Sequence, residues 1–567
     1  MFQVVQLRAP APPKVLKPEP YKLTKTNQII CTFDTETDPF KFGRVVKPFT
    51  CGFYDGSEYV DFWGEDCIDQ FFAYIDSRAL EKPDERLLIY CHNWGNFDAY
   101  FCIDHFDPGM APFIMNGRLV RCYLHGREFR DSYSAIPVPL ADYQKTVIDY
   151  DLFEPDKREA NKALIRDYQR DDCIFLYDLI SEWVALFGTK LTMASVALPT
   201  LKSFHGFQCM TPKTDDEMRP FYFGGRCQAF QTGLLKGDWK IYDVNSMYPF
   251  VMANEKHPVS NRPRYEKGIT KRTHFAKIDA WSAGALPVRK DDGGLDFPNG
   301  NGTFFACIHE IKAGLETGTL RIFKVHFSIY FEIEASFTEF IETYYAKRME
   351  AKASGDKIRT LFYKLVMNSS YGKFAQDPRK YERFVFDPDT IPEPLRSDTE
   401  LNGWYIHTMR HAFTIYAKSA GREEFGFYNV ATAASITSAA RALLLRGIAK
   451  AKRPIYCDTD SLICEGLDMD LDDKRLGAWG LDAIGDTCAI AGKKLYAVFN
   501  AGEEVKKASK GVRLTADEIR RVAMGETVEY ANPVPKFSLK TARGDDLNAP
   551  FSADFISRKI SRTGLHL

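Results

Sequence analysis

Two carboxylates stand two residues apart between apolar runs at Tyr456–Ser461, where the sequence is Tyr-Cys-Asp-Thr-Asp-Ser. Apolar residues on both sides of a polar centre predict a strand, a tight turn and a second strand. A hairpin tip of this kind can present Asp458 and Asp460 to a divalent metal ion. Acidic residues at a turn are more often solvated turn formers. This stretch alone therefore leaves a metal site and an ordinary turn both open.

A second acidic strand end lies far upstream, at Asp243. It follows the apolar pair Ile241–Tyr242 and precedes a Ser, a Tyr and the strand-ending Pro249. Magnesium prefers oxygen ligands and takes a few carboxylates together with substrate phosphates. If a folded domain brought Asp243 and Asp458 together, two metal ions held there would clamp the attacking and leaving oxygens of a phosphoryl transfer. By itself, Asp243 is better explained as an ordinary strand end.

The stretch Asp356–Tyr371 has the apolar periodicity of a helix. Lys364, Asn368 and Tyr371 stand at i, i+4 and i+7, on a different face from the apolar stripe. A cation, an amide and an aromatic ring in a row suit a triphosphate with a base stacked above it. Most helices with lysine on their polar side are simply solvated. Two further cations on or near this stretch could add charge for the triphosphate: Lys352 and Arg359.

In this order the three segments resemble motifs A, B and C of family B DNA polymerases. The patterns are Asp-x-x-Ser-Met-Tyr-Pro, Lys-x-x-x-Asn-Ser-x-Tyr-Gly and Tyr-x-Asp-Thr-Asp-Ser. The resemblance implies that Asp243 and Asp458 hold two catalytic metal ions, with Val244 beside them and Asp460 in support. Tyr248 would lie under the incoming sugar and exclude a ribose 2′-hydroxyl. The implied nucleotide pocket consists of Val244, Tyr248, Lys352, Arg359, Lys364, Asn368 and Tyr371.

The amino-terminal third of the chain has a second set of acidic residues. They stand at the ends of two apolar strands and on one face of a strongly apolar helix. Four carboxylates and a tyrosine in this arrangement suit another two-metal site, where metal-activated water is the nucleophile and the tyrosine orients it. Each strand end alone is better explained as a cap or a turn. The set is Asp34, Glu36, Asp98, Tyr168 and Asp172.

This set resembles the three exonuclease motifs of proofreading polymerases, in the subgroup with a tyrosine near the last aspartate. The resemblance implies that Asp34, Glu36, Asp98 and Asp172 are the metal ligands. The frayed 3′ end of DNA would be held partly by aromatic stacking, which is worth roughly 1–3 kcal/mol per base. The residues implied for this role are Thr37, His92, Asn93 and Phe97.

Shorter segments resemble the protein-primed branch of the family, whose members start synthesis on a hydroxyl of a terminal protein. Tyr222–Gly225 resembles its Tyr-x-Gly-Gly linker motif, in which glycine permits close approach of the template strand. Thr437–Arg441 resembles its Thr-x-x-Ala-Arg template-binding motif, and Lys494–Tyr496 its Lys-x-Tyr primer-binding motif. Lys145–Ile148 and Asp131–Tyr133 resemble its Lys-x-x-hydrophobic exonuclease motif and its single-strand-binding motif. These matches add Lys145 to the catalytic residues of the exonuclease, and Ser132, Tyr133, Tyr222, Gly224, Gly225, Thr437, Arg441, Lys494 and Tyr496 to the DNA contacts.

The fold class that the resemblance implies is α/β plus α+β. A ribonuclease-H-like 3′–5′ exonuclease domain precedes a right-hand polymerase domain of palm, fingers and thumb with two insertions. The gaps between motifs set the expected boundaries. We expect a basic, Pro-rich tail at 1–26, the exonuclease at 27–190, palm segments at 191–255 and 426–512, a first insertion for terminal-protein contact at 256–345, fingers at 346–376, a second insertion for processivity and strand displacement at 377–425, and a thumb at 513–567.

The amino-acid composition argues against several classes of protein but does not by itself indicate a function. Thirteen cysteines without a Cys-x-x-Cys pair argue against zinc and iron–sulfur sites. No run of 18 apolar residues predicts a membrane span, and no apolar segment marks a signal peptide. The net charge of −1 is low for a DNA-binding protein. Two acidic metal sites can offset basic grooves elsewhere in such a chain.

We therefore expect a monomeric, template-directed DNA polymerase with proofreading, which copies a linear viral genome in the host cytoplasm. Its partners would be primer–template DNA, dNTPs, a terminal protein and, as a further candidate, a single-stranded-DNA-binding protein, with no membrane contact. Its cofactor would be Mg²⁺, two ions per active site, for which Mn²⁺ can substitute. Three alternatives stay open: a family B polymerase that starts without a terminal protein, an exonuclease with a non-catalytic palm, and a non-catalytic clamp or packaging factor.

Overall fold

The computed structural model describes residues 28–42, 44–107, 109–143, 145–387, 404–410, 413–421, 428–536 and 554–562. The tail expected at 1–26 and part of the second insertion expected at 377–425 lie outside these ranges. The chain divides into two compact units. One comprises Met1–Met193, Pro378–Gly421 and Pro533–Phe555, and the other Ala194–Asp377, Arg422–Asn532 and Ile556–Leu567.

The first unit is built on a seven-stranded mixed sheet. Its three middle strands run parallel to one another, and the outer ones pair antiparallel. Because the carboxyl ends of parallel strands meet at one edge, residues that end these strands lie close together. In spatial order the strands are Tyr59–Trp63, Pro48–Tyr54, Gln28–Thr37, Arg86–Cys91, Arg127–Asp131, Arg118–Leu124 and Phe113–Met115.

The helices of this unit cover the sheet and close its core. The α-helices are Cys67–Glu81, Ser132–Ala135 and Lys162–Phe187, and the 3₁₀ turns are Trp94–Asn96, Asp98–Tyr100, Ile103–His105, Leu140–Asp142 and Tyr150–Phe153. The buried side chains of the helix Lys162–Phe187 pack against the sheet. Aromatic side chains fill the interior, with Phe33, Phe71 and Phe129 within 4.5 to 6.3 Å of one another. Burying each such ring stabilises the fold by about 1.5–3 kcal/mol.

A three-stranded antiparallel sheet from the expected second insertion belongs to the same unit. Its strands, in spatial order, are Glu382–Asp387, Phe413–Ser419 and Trp404–Arg410. Phe384, Phe386, Ile415 and Ala417 are buried in one cluster with the core of the seven-stranded sheet. The described part of this insertion therefore packs on the expected exonuclease domain.

The second unit is built on a seven-stranded antiparallel sheet. The hairpin predicted at Tyr456–Ser461 is confirmed: Tyr456–Asp458 pairs with Ser461–Cys464, which pairs in turn with Gly233–Val244. In that register Ser461 stands opposite both Asp243 and Asp458. In spatial order the strands are Glu503–Ser509, Leu495–Asn500, Trp479–Gly492, Gly233–Val244, Ser461–Cys464, Tyr456–Asp458 and Cys227–Ala229.

A smaller antiparallel sheet lies within the expected first insertion. Its strands are Pro263–Glu266, Leu320–Phe331, Phe275–Ala283 and Asn299–Cys307. The short pairs His257–Pro258 with Glu334–Ala335 and Val288–Arg289 with Leu295–Asp296 flank it. The remaining strands are Ala451–Lys452, Gly466–Leu467, Val528–Lys536 and Asp554–Ile560.

Eight α-helices and two 3₁₀ turns complete the description of the chain within the described ranges. The predicted helix at Asp356–Tyr371 is found as Lys357–Phe374, with the side chain of Asp356 capping its first turn through the amide of Arg359. Among the described residues, no helix is long and apolar enough to cross a membrane. The elements are Met193–His205, Pro212–Met218, Arg219–Phe221, Met247–Asn254, Ile308–Glu316, Thr338–Ala353, Lys357–Phe374, Pro378–Lys380, Val430–Lys450 and Ala516–Ala523.

Two candidate catalytic sites

The first unit gathers its acidic residues at the carboxyl edge of the parallel strands. Ligand atoms of Asp34, Glu36 and Asp172 lie within 4.8 Å of one another, and so do those of Asp34, Cys91 and Asp98. Asp34 and Glu36 come from the central strand, Asp98 follows its parallel neighbour, and Asp172 reaches in from the helix Lys162–Phe187. The four carboxylates predicted from the sequence are thus brought together. Cys91 lies among them and was missed.

Burial and mutual repulsion dominate the electrostatics of this cluster. Burial, followed by the charges of Asp172 and Asp98, raises the pKa of Asp34 well above its usual range. Burial and the charge of Asp34 do the same for the pKa of Glu36. Burial raises the pKa of Asp98 to about 6, although Thr35 Oγ1 donates a hydrogen bond to its Oδ1 at 2.5 Å. Oxygen donors that repel one another in this way fit a divalent cation.

Lys145 partly neutralises the cluster. Its Nζ lies 3.3 Å from Oδ2 of Asp172, whereas Oδ1 of Asp172 is buried without a hydrogen-bond partner. Burial alone would lower the pKa of Lys145, but the charges of Asp172, Tyr150 and Asp34 raise it overall, so the amine stays charged. One lysine lies beside four carboxyl groups, so it can balance the charge of only one of them when they are ionised.

Tyr168 stands beside the carboxylates, as predicted. Burial, together with the charges of Glu36 and Asp172, raises the pKa of its hydroxyl, so Tyr168 stays protonated. Its Oη lies 3.2 Å from Oη of Tyr150, and Lys145 Nζ lies 5.4 Å from the centre of its ring. Tyr150 was missed because its place beside Tyr168 arises from tertiary packing.

The residues predicted to hold single-stranded DNA divide into two groups. His92 and Ser132 are interior supports: the histidine ring lies 3.0 Å from Ser132 Oγ and 3.0 Å from the carbonyl oxygen of Val138. Burial lowers the pKa of His92 to about 4, so its ring is neutral near pH 7. Ser132 is fully buried and Thr37 is also buried, and DNA contact by these two residues stays a prediction.

The other group is partly exposed. Tyr133 packs beneath the guanidinium of Arg118, whose Cζ lies 4.6 Å from the centre of the ring. Phe97 is half-buried, with its ring 5.7 Å from Phe40. Asn93 has a left-handed backbone, with φ of 68°. These three side chains remain candidates for contact with an unpaired DNA end.

In the second unit, the two carboxylates of the hairpin turn, Asp458 and Asp460, lie close to different partners. The carbonyl oxygen of Asp460 accepts a hydrogen bond from the amide of Val244 at 2.9 Å. Burial raises the pKa of Asp243 to about 7, and the charge of Asp460 is the next largest contribution. Asp458, in contrast, holds Lys494 Nζ between its two oxygens at 2.8 and 2.9 Å. The contacts thus favour Asp460 over Asp458 as the carboxylate that acts with Asp243, the reverse of the predicted roles.

Lys494 and Tyr496 were predicted to bind the primer end. Lys494 is engaged by Asp458 in this structure, and its side chain is 37% exposed. Tyr496 is buried, with its ring 4.8 Å from that of Tyr456. Primer contact by Lys494 and Tyr496 stays a prediction. The side chain of Val244 is also fully buried, which leaves only its backbone for a metal or a nucleotide.

The predicted nucleotide pocket contains two stacked rings. Tyr248 and Tyr371 lie parallel, 4.3 Å apart between centroids and 6° apart in plane. Gly225 lies beside them: a Cβ added there would be 3.1 Å from Tyr248 Oη and 3.2 Å from the side chain of Thr459. Because Gly225 has no side chain, its backbone can lie this close to Tyr248 and Thr459. Gly224 is less crowded, since a Cβ there would have its nearest neighbour 3.9 Å away.

The cations predicted for this pocket lie on two helices. Lys364 and Asn368 are exposed on Lys357–Phe374, and the charge of Lys364 lowers the pKa of Asp243 against the larger effect of burial. Lys352 is exposed on the preceding helix, and the Nε of Arg359 lies 3.4 Å from Asp356.

Arg348 was missed. It stands one helical turn before Lys352 on Thr338–Ala353, its Nη1 lies 3.4 Å from Ser246 Oγ, and its buried Nε has no hydrogen-bond partner. The i, i+4 spacing from Lys352 could have indicated it.

The predicted template contacts on the helix Val430–Lys450 are internal. Arg441 is buried, and it donates to both carboxylate oxygens of Glu310 at 2.7 and 3.0 Å. It also donates to the carbonyl oxygens of Phe223 and Gly224, each at 2.7 Å. Thr437 is buried and donates to the carbonyl oxygen of Ala434. The polar atoms of Thr437 and Arg441 therefore have partners within the protein, and direct DNA contact by these two residues stays a prediction.

Tyr222 is half-buried, and its carbonyl oxygen accepts from Arg289 at 2.8 Å. Arg289 and Arg441 thus fix three successive carbonyl groups of the Tyr222–Gly225 segment. Any contact of this segment with DNA depends on these two arginines for its position.

Comparison with known proteins decides the family. A family model described as "DNA polymerase type B, organellar and viral" matches residues 131–476. The chain belongs to this family. It is 44% identical over 547 residues to the DNA-directed DNA polymerase of Enterobacteria phage PRD1, a match that covers 91% of this chain and 96% of that protein. It is 24% identical to the DNA polymerase of Streptococcus phage Cp-1, over 76% of this chain and 80% of that one.

Solved structures show the same fold. Phi29 DNA polymerase in complex with primer–template DNA and incoming nucleotides matches 94% of this chain and 100% of its own, with a TM-score of 0.66 and 16% sequence identity. The predicted fold class and the predicted enzyme class, a DNA-directed DNA polymerase of family B, are confirmed. The similarity to DNA polymerases argues against two of the alternatives, an exonuclease with a non-catalytic palm and a non-catalytic clamp or packaging factor.

Proposed function

We propose that this family B polymerase adds dNTPs to a primer 3′-hydroxyl at a site formed by Asp243 and Asp460. The observation that supports this most is the position of Asp460, whose charge adds to burial in raising the pKa values of Asp243 and of the two stacked rings, Tyr248 and Tyr371. Two Mg²⁺ ions, when bound there, would supply the charge that activates the hydroxyl and neutralises the leaving pyrophosphate. Asp458 accepts hydrogen bonds from Lys494 and would orient this lysine to bind the primer.

The protein's own residues supply positioning and charge. Lys364 and Arg348 lie on the two helices beside the pocket and would neutralise the triphosphate, with Lys352 as a further exposed cation. The ring of Tyr248 would lie under the sugar and exclude a 2′-hydroxyl. Since positioning and electrostatics dominate phosphoryl transfer, the rate should depend on these side chains more than on any proton acceptor.

We also propose that the first unit is a 3′–5′ proofreading exonuclease. Asp34, Glu36, Asp98 and Asp172 would hold divalent cations, and Tyr168 would orient the attacking water. A test uses a primer with a mispaired 3′ terminus. The wild-type protein should remove the mispaired nucleotide before extension, whereas Asp172→Asn should stall or extend the mismatch. Equal removal by both proteins would refute this assignment.

Initiation on a terminal protein is the proposed mode of priming. It is supported by the segments at Tyr222–Gly225 and Thr437–Arg441 and by the sheet inserted between Asn254 and Thr338, which offers a surface for such a partner. The same interpretation places the protein in the host cytoplasm during replication of a linear viral genome. A single-stranded-DNA-binding protein would cover the displaced strand.

The priming mode is tested on genome-end DNA without a nucleic-acid primer. Labelled dNTP and Mg²⁺ are supplied with and without the protein that is covalently attached to the genome ends. We expect label on that protein only when polymerase and template are both present. Free labelled DNA made without the partner would favour the primer-independent alternative. Removal of 377–425 should shorten products if the second insertion supports processivity.

A further inference from the structure

Cys91 is a donor in the exonuclease site that the proposed two-metal reaction does not use. It ends the strand Arg86–Cys91, is fully buried, and its Sγ donates to Oδ2 of Asp98 at 3.2 Å. Its sulfur and one carboxylate oxygen each of Asp34 and Asp98 lie within 4.8 Å of one another. The site therefore offers one soft ligand beside hard oxygen ligands.

The spacing suits a tetrahedral cation. In protein zinc sites the Zn–S distance is about 2.3 Å and the Zn–O distance about 2.0–2.2 Å, which places sulfur and oxygen about 3.5 Å apart. The observed separation of 3.2 Å between Cys91 Sγ and Asp98 Oδ2 is close to this value. Thr35 Oγ1 holds the other oxygen of Asp98 at 2.5 Å, which fixes the carboxylate with Oδ2 toward the sulfur. A cation could replace the thiol proton with only a small shift of either side chain.

A second feature of the same acidic cluster also points to a cation. Oδ1 of Asp172 has no hydrogen-bond partner, although Asp172 is only 5% exposed. Asp34 belongs both to the set that contains Asp172 and to the set that contains Cys91. The two sets therefore form one continuous group of donors. Lys145 reaches only the other oxygen of Asp172. A buried carboxylate oxygen without a partner is costly unless a cation or water satisfies it.

We propose that Cys91 makes the exonuclease site a binding site for a thiophilic divalent cation such as Zn²⁺ or Cd²⁺, held by the Cys91 thiolate, Asp34 and Asp98. Thiolate ligands favour such ions over Mg²⁺, which prefers oxygen. The thiol proton passes to solvent when the ion binds. A thiophilic ion at this place occupies Asp34 and Asp98, and it inhibits the removal of 3′ nucleotides in the presence of Mg²⁺. This consequence rests on the proposed exonuclease function.

Binding is tested directly with CdCl₂ and the full-length, metal-stripped protein, by the near-ultraviolet thiolate-to-Cd²⁺ charge-transfer absorption. Cys91→Ser should remove the absorption of one high-affinity site. Cys51→Ser is the matched control, because Cys51 is also fully buried and donates to a carbonyl oxygen, that of Cys67, but belongs to neither set of donors. It should leave the titration unchanged. If the serine variant of Cys91 fails to fold, Cys91→Ala is measured in its place.

A second measurement follows shortening of 5′-labelled single-stranded DNA in Mg²⁺ while Cd²⁺ is added. The Cd²⁺ concentration for half inhibition should rise at least tenfold in Cys91→Ser and stay unchanged in Cys51→Ser. Identical absorption titrations for wild type and Cys91→Ser would overturn the proposal. Absence of any Mg²⁺-dependent shortening would instead refute the exonuclease function, and the absorption titration would still decide the cation site.

Discussion

The backbone conformation of Thr459 sets the directions in which its neighbours Asp458 and Asp460 point. Its left-handed backbone, with φ of 61°, allows a turn in which the amide of Asp460 donates to the carbonyl oxygen of Asp458 at 2.7 Å. Asp458 is then directed to Lys494 and Asp460 toward the strand of Asp243. A non-glycine residue at positive φ is uncommon, and such residues cluster at functional sites.

We predict that Asp460→Asn loses at least tenfold more primer extension than Asp458→Asn. Removal of a metal-binding carboxylate takes away several kcal/mol of transition-state stabilisation, whereas Asp458 acts through Lys494. Steady-state extension of a primed template measures the difference, and shortening of single-stranded DNA by both variants serves as the control. Equal loss in the two variants would assign metal binding to both carboxylates.

The exonuclease carboxylates should make the metal-free protein sensitive to pH. A carboxyl group whose pKa is raised on folding binds more protons in the folded than in the unfolded state, so stability falls as pH rises between its two pKa values. For Asp98 this window runs from the ordinary 3.8 to about 6. The pKa values of Asp34, Glu36 and Asp172 are also raised, which adds to the loss.

Asp34→Asn removes one of these charges. We predict that it raises the melting temperature of the chelator-treated protein near pH 8 by about 2–4 °C, the shift that 1 kcal/mol produces in a domain of this size. The gain should vanish near pH 4, and Mg²⁺ should stabilise the wild type more than the variant. Thermal unfolding at the two pH values is the measurement. A lower melting temperature for Asp34→Asn near pH 8 would contradict this electrostatic account.

The sequence identified the carboxylates of both sites because acidic residues at strand ends and fixed motif spacings are visible along the chain. It did not identify Cys91, Arg348 or Tyr150, whose proximity to the sites depends on how separate segments pack. The same limit explains why the internal contacts of Arg441 were not predicted. Its partner Glu310 is distant in sequence, so neither the burial nor the ion pair could be inferred from the motif.

At the scale of elements, the Tyr222–Gly225 segment is fixed by its close packing. We predict that Gly225→Ala lowers primer extension by about tenfold, because a displacement of catalytic groups by a fraction of an ångström is costly and the new Cβ would press on Tyr248 and Thr459. Gly224→Ala is the control and should extend primers normally, since its Cβ would make only an ordinary contact, with Leu295 at 3.9 Å. Comparable losses in both variants would indicate direct DNA contact instead of packing.

The helix Val430–Lys450 offers a second matched pair. Arg441 and Arg446 each pair with a glutamate of Ile308–Glu316, but the first pair is 2% exposed and the second 38% and 54%. We predict that Arg441→Ala costs about 3–5 kcal/mol of unfolding free energy, since it leaves Glu310 buried and uncompensated. Arg446→Ala should cost less than about 1 kcal/mol.

Urea unfolding measures both variants of this helix. The salt dependence of DNA binding separates a structural role for Arg441 from a direct one. Loss of a direct phosphate contact would reduce the slope of binding against salt by about 1, and Arg441→Ala should leave it unchanged. A reduced slope with normal stability would support the prediction of template contact.

The sequence also predicted the hairpin at Tyr456–Ser461, from the apolar residues on both sides of its tip, and the helix Lys357–Phe374, from its apolar periodicity. The sheet of the first insertion, Pro263–Phe331, was foreseen only as a gap between motifs. Its long strands alternate weakly, and one of them, Leu320–Phe331, contains two irregularities of register. Local pattern is a poor guide where bulges interrupt the alternation.

For the whole molecule, the order of the motifs was sufficient to predict an exonuclease followed by a polymerase. It did not show that Pro378–Gly421 belongs to the first unit, because that grouping depends on contacts with a core more than two hundred residues away in sequence. The predicted boundaries of fingers, palm and thumb within the second unit stay predictions.

We propose that one chain contains a polymerase site at Asp243 and a separate exonuclease site at Asp34. The most direct test uses a 5′-labelled primer on a long single-stranded template with Mg²⁺, with and without dNTPs. Wild type should lengthen the primer with dNTPs and shorten it without them; Asp243→Ala should only shorten it, and Asp34→Ala should only lengthen it. Shortening by wild type under both conditions, or loss of both activities in either variant, would contradict the account.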